Sequence, residues 1–223
     1  REVEGILLKN VRSYDDEVNP YTRNNRYKEF CKLFDLYINE AFSVSHREQG
    51  SIVLPPRYLK SAIGLEFEKE ILVLEKFAGT KAKNKIYVLG GQKIEDYFSL
   101  FTALKNKNNK IIAAGVLANL FLIAKDHSLG YEEKWLKENN YFEFLPKLKK
   151  IYEKYKNQII LPIDFGVLTE KEKRLNATLE QIPFSYKIYD VGEKTIKIFK
   201  EYLDKADYVF MKGPLGFSEI PAF

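Results

Sequence analysis

Short apolar runs alternate along the chain with longer stretches in which apolar residues recur every three or four positions. The triplet Ile6-Leu7-Leu8 predicts a short buried strand. Residues 13–25 are polar and contain Asn19-Pro20, a loop signature. Residues 26–34 suit a helix, and Leu36-Tyr37-Ile38 a second strand. Pro55-Pro56 stops any helix at that point, because proline lacks the backbone N–H a helix interior needs. From about Leu59 to Phe77 a long helix is predicted, with Ile63, Phe67, Ile71 and Leu74 on one face. A polar break follows at 79–84. Ile86-Tyr87-Val88-Leu89 then reads as a strand running into Gly90-Gly91, and Ile94, Phe98, Phe101 and Leu104 mark the next helix. Ile111-Ile112 opens another strand, and 115–124 another helix. Leu145, Leu148, Tyr152 and Tyr155 mark a helix before the strand Ile159-Ile160-Leu161. Ile196, Phe199 and Leu203 mark one more, before Tyr208-Val209-Phe210-Met211.

Strands alternating with helices imply parallel βαβ units, so the expected class is α/β with an open, mostly parallel sheet. Ligands of such sheets sit at the carboxyl ends of the strands. That is where the candidate chemistry has to be sought.

Four constellations lie just past predicted strands. Ser45-His46-Arg47 follows the strand at 36–39. Arginine offers a planar fork to a phosphate or carboxylate and histidine adds a donor, the alternative being a surface turn paired to Glu40 or Glu48. Arg12 follows the strand at 6–8 and either reaches the same ligand or is a solvated side chain. Gly90-Gly91-Gln92-Lys93 opens a helix after a strand. Backbone N–H groups there can approach an anion, the helix terminus adds partial positive charge and Lys93 a full one; the alternative is a tight turn that needs glycine in any case. Gly213-Pro214-Leu215-Gly216-Phe217-Ser218-Glu219 follows the last strand. It either lets a nucleotide lie against the backbone, with Glu219 accepting a ribose hydroxyl, or is simply a rigid Gly-Pro loop.

Other chemistries lack their residues. The chain has two histidines, His46 and His127, and one cysteine, Cys31, so no zinc ligand set of the usual spacing is present and no metal ligands are assigned. No Gly-x-Ser-x-Gly elbow and no GxxxxGK[ST] loop occurs. The Lys/Tyr-rich stretch at 147–156 is a solvated amphipathic face rather than a nucleic-acid motif.

Composition narrows the class further. Apolar residues make up 45% and charged residues 30%, ordinary for a soluble domain. A net charge of +5 with pI near 8.9 fits an anionic partner such as a phosphorylated metabolite or nucleotide, or serves solubility. A single cysteine rules out an intramolecular disulfide and suits a reducing cytoplasm. No apolar run approaches the ~20 residues that span a bilayer. The first residues carry neither a signal-peptide pattern nor an initiator Met, the expectation being a chain that begins inside a longer protein.

The order of the motifs resembles the phosphoglycerate kinase family. Its LLENxRF-like segment matches Leu7-Leu8-Lys9-Asn10-Val11-Arg12, and its VNDAF…HR segment matches 38–42 through His46-Arg47. The GFLMxKE-like entry to a connecting helix matches 64–70, and GGAKVxD matches 90–96. LPxDF matches 161–165, DxGxxT matches 190–195 and NGPMGVFE matches 212–219. Gly115-Val116-Leu117-Ala118-Asn119 is most similar to archaeal members.

The resemblance implies two Rossmann-like parallel-sheet units joined by a long helix, both incomplete in this chain. Residues 1–58 would be the C-terminal part of a phosphoglycerate-binding domain, 59–78 the interdomain helix, and 79–223 most of a nucleotide-binding domain. The implied activity is reversible phosphoryl transfer from 1,3-bisphosphoglycerate to ADP, giving 3-phosphoglycerate and ATP with Mg²⁺ as Mg-ADP or Mg-ATP, in the cytoplasm. The partners implied are those metabolites, with no nucleic acid and no membrane. Arg12, His46 and Arg47 would bind the phosphoglycerate. Gly90, Gly91, Lys93, Gly213, Pro214 and Glu219 would bind the nucleotide, with Lys93 as a catalytic cation; Lys212 is a second candidate cation that the family pattern does not supply. The alternative is a kinase-derived module that holds nucleotide without transferring phosphate.

Departures from the family pattern carry expectations of their own. The early Asp-Phe-Asn strand, a basic residue on the transferred phosphate and the late glycine-rich nucleotide segments are not among these residues, so the expectation is that the 223 residues alone do not turn over. Many members carry a second lysine where this chain has Tyr97, and asparagine where it has Lys212. Either Lys212 supplies phosphate charge that Tyr97 cannot, or it is tolerated at a loop edge. The family's glycine-rich strand end is reduced to Ala113-Ala114-Gly115, which argues against close backbone approach there.

Overall fold

Three sheets and nine helices make up a computed structural model that describes residues 5–79, 83–169, 173–181, 185–217, 219–220 and 223. The terminal pattern at 1–4, the middle of the polar break at 79–84 and Ser218 lie outside the described residues. Two compact units divide the chain, Arg1–Thr80 and Lys81–Phe223. No helix among the described residues is long and apolar enough to cross a membrane.

In the first unit, helices α1 (Asp15–Val18) and α2 (Tyr27–Cys31) precede strand β1 (Leu36–Asn39). Helices α3 (Gly50–Val53) and α4 (Pro55–Tyr58) then lead to strand β2 (Lys60–Ile63) and helix α5 (Leu65–Gly79). The prolines do end α3, but Pro55 also starts α4, because a proline in the first turn lacks only an N–H that would go unused. The buried carboxylate of Glu17 knots α1, α2 and α3 together. It accepts from the Tyr27 hydroxyl at 2.5 Å and from the Ser51 N–H and hydroxyl, each at 2.7 Å.

Two expectations fail in this unit. Residues 6–8 form no strand, and Ile6 and Leu7 are almost fully exposed. Among the described residues no strand pairs with them, and an apolar triplet without a ladder has no sheet to join. The long helix begins at Leu65 rather than Leu59, because 60–63 pair in parallel with β1, from Leu36 opposite Lys60 to Asn39 opposite Ile63. The helix start is set by a distant carboxylate. Glu40 accepts the N–H of Phe67 at 3.0 Å and of Glu66 at 3.4 Å, filling two of the donors a helix N-terminus leaves unpaired. A side chain at Gly64 would collide with that carboxylate.

The second unit is built on a parallel sheet of β3 (Lys85–Leu89), β4 (Lys110–Ala113), β5 (Ile159–Ile160) and β9 (Tyr208–Lys212), in the spatial order β5-β4-β3-β9. The chain steps outward from β3 to β5 and then returns to the other side of β3. The strand order therefore reverses between β3 and β9, the switch point at which such sheets open a crevice. Helix α6 (Gly115–Ala124) is buried on nearly all sides, as a sequence apolar but for Asn119 requires. Helices α7 (Tyr131–Glu138), α8 (Leu145–Tyr155) and α9 (Glu193–Leu203) complete the helical layers. One core joins Ile86, Val88 and Ile112 of the sheet to Phe199 of α9.

The segment expected as a helix after Gly91 is two 3₁₀ turns, Ile94–Tyr97 and Leu100–Lys105. Ile94 and Tyr97, like Phe101 and Leu104, are three apart and buried, a spacing that a three-residue turn satisfies as well as an α-helix does. The polar stretch 13–25, expected as loop, includes α1. A second, antiparallel sheet, β7-β6-β8, comes from β6 (Asp164–Leu168), β7 (Arg174–Thr178) and β8 (Ile188–Val191), and so departs from the mostly parallel expectation. Its core is Phe165, Val167 and Ala177, packed with Leu122 of α6 and Leu129.

Candidate functional site

Four parallel strands end around one cleft in the second unit. Gly90 and Gly91 follow β3, Gly115 follows β4, Pro162 follows β5, and Gly213 with Pro214 follows β9; all line a cavity of about 510 Å³. Lys93, Lys212 and Glu219 line it as well. Every residue that the sequence assigned to nucleotide or to phosphoryl transfer thus meets here.

The loops after β3 and β9 interlock backbone to backbone. The Gly90 N–H donates to Lys212 O at 3.0 Å. A methyl on Gly90 would run into the Pro214 carbonyl, and one on Gly213 into the Gly90 carbonyl. Gly213 has φ +79°, a conformation that side chains disfavour. The third loop joins them despite its reduced glycine content. Val116 N–H donates to Gly91 O at 3.2 Å, and a methyl on Gly115 would stand 2.8 Å from Gly91 N. The expectation of poor approach at Ala113-Ala114-Gly115 is therefore corrected: one glycine suffices, because only position 115 meets the neighbouring loop and needs φ +54°.

The cleft lining carries three lysines, Lys93, Lys187 and Lys212, and three carboxylates, Glu132, Asp190 and Glu219. Lys93 is exposed and has no ion pair among the described residues. Lys212 Nζ lies 3.0 Å from Asp96 Oδ2, both side chains being roughly half-exposed. Tyr97 is buried and its hydroxyl donates to the Gly90 carbonyl. Burial, followed by the nearby Asp96 charge, raises its pKa, so it stays a neutral phenol. Tyr97 is therefore a brace under the glycine turn and brings no charge, whereas Lys212 stands in the cleft wall.

The same cavity is also lined by Asn119 of α6, Glu132 and Trp135 of α7, and Lys187 and Ile188 at β8. Sequence reasoning missed this group. The one signal was Asn119, a lone amide inside the apolar run of α6. Asn119 and Glu132 are 3% and 2% exposed, and Asn119 Nδ2 donates to Glu132 Oε1 at 3.1 Å. The Ile188 N–H donates to the other carboxylate oxygen at 3.3 Å. Burial pushes the Glu132 pKa up to about 6, against the opposing pull of the Ile188 N–H, the Lys187 charge and the Asn119 amide. The Lys187 ammonium lies 4.8 Å from the Trp135 ring centre and 5.4 Å from that of Tyr189.

The 161–165 and 190–195 motifs turn out to be supports. Asp164 is buried and accepts Lys194 N–H at 2.9 Å, Thr195 N–H at 2.7 Å and the Thr195 hydroxyl at 2.5 Å. It caps α9, and a side chain on Gly192 would strike it.

The remaining assigned residues lie in the first unit. Arg12 is exposed in a 3₁₀ turn at Val11–Ser13. His46 is exposed and Arg47 half-buried, just after another such turn at Phe42–Val44. No hydrogen bond or ion pair among the described residues joins Arg12 to either. The alternative of a turn paired to Glu40 or Glu48 is not seen, since Glu40 is engaged by α5.

A family model described as phosphoglycerate kinase matches residues 1–223. The chain is 35% identical to the phosphoglycerate kinase of Methanothermus fervidus, over 98% of this chain and 55% of that one. It is 34% identical to that of Archaeoglobus fulgidus, over 99% of this chain and 56% of that one. Among solved structures, phosphoglycerate kinase from Pyrococcus horikoshii OT3 matches with a TM-score of 0.84 and 29% identity, covering 94% of this chain and 55% of its own. That from Coxiella burnetii matches with a TM-score of 0.70 and 27% identity, covering 96% and 55%. The chain thus spans about half the length of these relatives. The parallel α/β sheets, the ordered motifs and a family match over all 223 residues place this chain in the phosphoglycerate kinase family.

Proposed function

We propose that this chain supplies the nucleotide side of a phosphoryl transfer between 1,3-bisphosphoglycerate and ADP, and part of the phosphoglycerate side. The observation that carries the reading is the interlocked glycine turns of β3 and β9 at the sheet's switch point, with Lys93 and Lys212 in the same cleft. Backbone approach and two ammonium groups suit a polyphosphate, whose charge must be neutralised as the phosphoryl group moves. In this reading Gly90, Gly91, Gly213 and Pro214 seat the nucleotide and Glu219 accepts a ribose hydroxyl. Mg²⁺ enters with the nucleotide on its own phosphates; among the described residues no group of three or more His, Cys, Asp or Glu could hold the ion.

Arg12, His46 and Arg47 take the phosphoglycerate in the same proposal. Residues 1–58 and 79–223 then belong to two domains, and α5 is the segment whose movement couples their closure and excludes water. A cytoplasmic setting belongs to this proposal too and suits the free, buried Cys31.

Calorimetric titration of the 223-residue chain with Mg-ADP tests the nucleotide side. Binding should be seen and should weaken about tenfold or more in Lys93→Ala, as expected for a charge-assisted phosphate contact. No ADP binding by the folded chain would remove the nucleotide reading. The transfer itself is tested on the native protein as its cells make it, by ATP formation from 1,3-bisphosphoglycerate.

A further inference from the structure

Glu219 lies on a segment after β9 whose described residues form neither helix nor strand. A carboxylate on irregular backbone meets a ligand in one geometry only if something outside the segment fixes it, since ordering it at the moment of binding costs conformational entropy. The antiparallel sheet supplies that fixing. The Phe217 N–H donates to Tyr189 O of β8 at 2.8 Å, and the two rings meet edge to face with centres 5.4 Å apart. The Phe223 ring centre lies 5.2 Å from that of the same Tyr189. Between these two feet the chain turns twice, with the Ile220 N–H donating to Phe217 O at 3.4 Å and the Phe223 N–H to Ile220 O at 2.9 Å. Glu219 falls in the first of those turns.

Arg174 of β7 completes the arrangement. Its guanidinium stands 5.2 Å from the Phe223 ring centre. Nη1 donates to Asp190 Oδ2 at 3.2 Å and Nη2 to Val191 O at 2.9 Å. Asp190 in turn packs so closely on Gly216 that a side chain there would strike its carboxylate. The segment is thus held at Gly216, Phe217 and Phe223 by residues of β7 and β8. Arg174 and Phe223 are not among the residues lining the cavity, so what they do for a ligand there passes through the segment.

We infer that Tyr189 and Arg174 are positioning residues for Glu219: they clamp the segment on both sides of it to the antiparallel sheet and so hold its carboxylate where a ribose hydroxyl is met. This rests on the nucleotide reading of the cleft, in which Glu219 accepts that hydroxyl.

The test is calorimetry on the 223-residue chain with the Mg²⁺ complexes of ADP, 2′,3′-dideoxy-ADP and inorganic pyrophosphate. Dideoxy-ADP keeps the base and both phosphates and lacks the two ribose hydroxyls. ADP should bind roughly tenfold more tightly than dideoxy-ADP, as expected for a hydrogen bond to a charged group, and Glu219→Ala should abolish that ratio. Tyr189→Ala and Phe223→Ala should each shrink the ratio to about threefold or less and leave pyrophosphate binding within about twofold. Tyr189→Phe should keep the ratio, because the ring and the backbone carbonyl make the contacts. If Tyr189→Ala fails to fold, Phe223→Ala decides. A ratio that vanishes in Glu219→Ala but survives in Tyr189→Ala or Phe223→Ala overturns the inference and leaves the role of Glu219 in place. A ratio lost in Tyr189→Phe would mean that the phenol itself meets the ligand, and a parallel loss of pyrophosphate binding would mean a general prop of the cleft; either overturns it. Equal binding of ADP and dideoxy-ADP by the wild type removes the role of Glu219 and the inference together, and failure of all three ligands to bind removes the nucleotide reading as well.

Discussion

Lys212 Nζ and Asp96 Oδ2 stand 3.0 Å apart beside the cleft that Lys212 lines. Half-exposed pairs of this kind contribute little to stability, so the lysine is held loosely and a polyphosphate can compete for it. Lys212→Ala should weaken Mg-ADP binding roughly tenfold. Asp96→Asn should strengthen it by a few-fold, because the charge then belongs to the ligand alone. Titration calorimetry checks both; weaker binding in Asp96→Asn would mean that Asp96 positions the lysine.

Glu132 gives a pH dependence of known sign. Its pKa, about 6 in the folded chain, lies above the ordinary carboxylate value, so the native state binds this proton more tightly than the unfolded chain. The associated stability is fully present below about pH 4.5 and is lost as the pH rises through 6. A shift of that size corresponds to about 2 kcal/mol. Urea unfolding of wild type and Glu132→Gln from pH 4.5 to 7.5 should show the wild type losing up to that amount relative to the variant as pH rises.

Asp164 and Thr195 tie β6 to the start of α9. Asp164→Ala removes the acceptor of two backbone N–H groups and a hydroxyl at a buried site, and should cost about 2–3 kcal/mol. Thr195→Val keeps the shape but loses the hydroxyl that accepts the Ile163 and Asp164 N–H groups at 3.0 and 3.1 Å. It should cost about 1–2 kcal/mol in urea unfolding.

The Glu40 cap predicts a similar effect in the first unit. Glu40→Ala leaves the first donors of α5 to water and should cost about 1 kcal/mol. Gly64→Ala should cost more, since its methyl has to displace the same carboxylate. Urea unfolding followed by far-UV circular dichroism measures both.

Much of the second unit was legible because its signals are local. The apolar runs at 86–89 and 111–112 are inner strands with neighbours on both sides, so continuous hydrophobicity suffices to mark them, while 208–211 is the edge strand beside β3 and is marked by its run of β-forming residues. The glycines of 90–91 and 213 stood out because backbone must pack on backbone there. The antiparallel sheet was not legible. Asp164 and Gly166 interrupt the pattern of β6, and their roles as helix cap and bulge exist only once α9 and β8 are in place.

The same division runs through the candidate site. Residue order alone determined that the glycine turns, Lys93 and the 213–219 loop belong together, because a βα turn places its glycines at a strand's end whatever surrounds it. Tertiary structure alone decided that Tyr97 braces Gly90, that Lys212 answers Asp96, and that Asn119 and Glu132 share one wall. Those pairings join residues whose partners are chosen by how helices and loops pack, and a hydrogen bond between packed elements leaves no spacing along the chain from which it can be read.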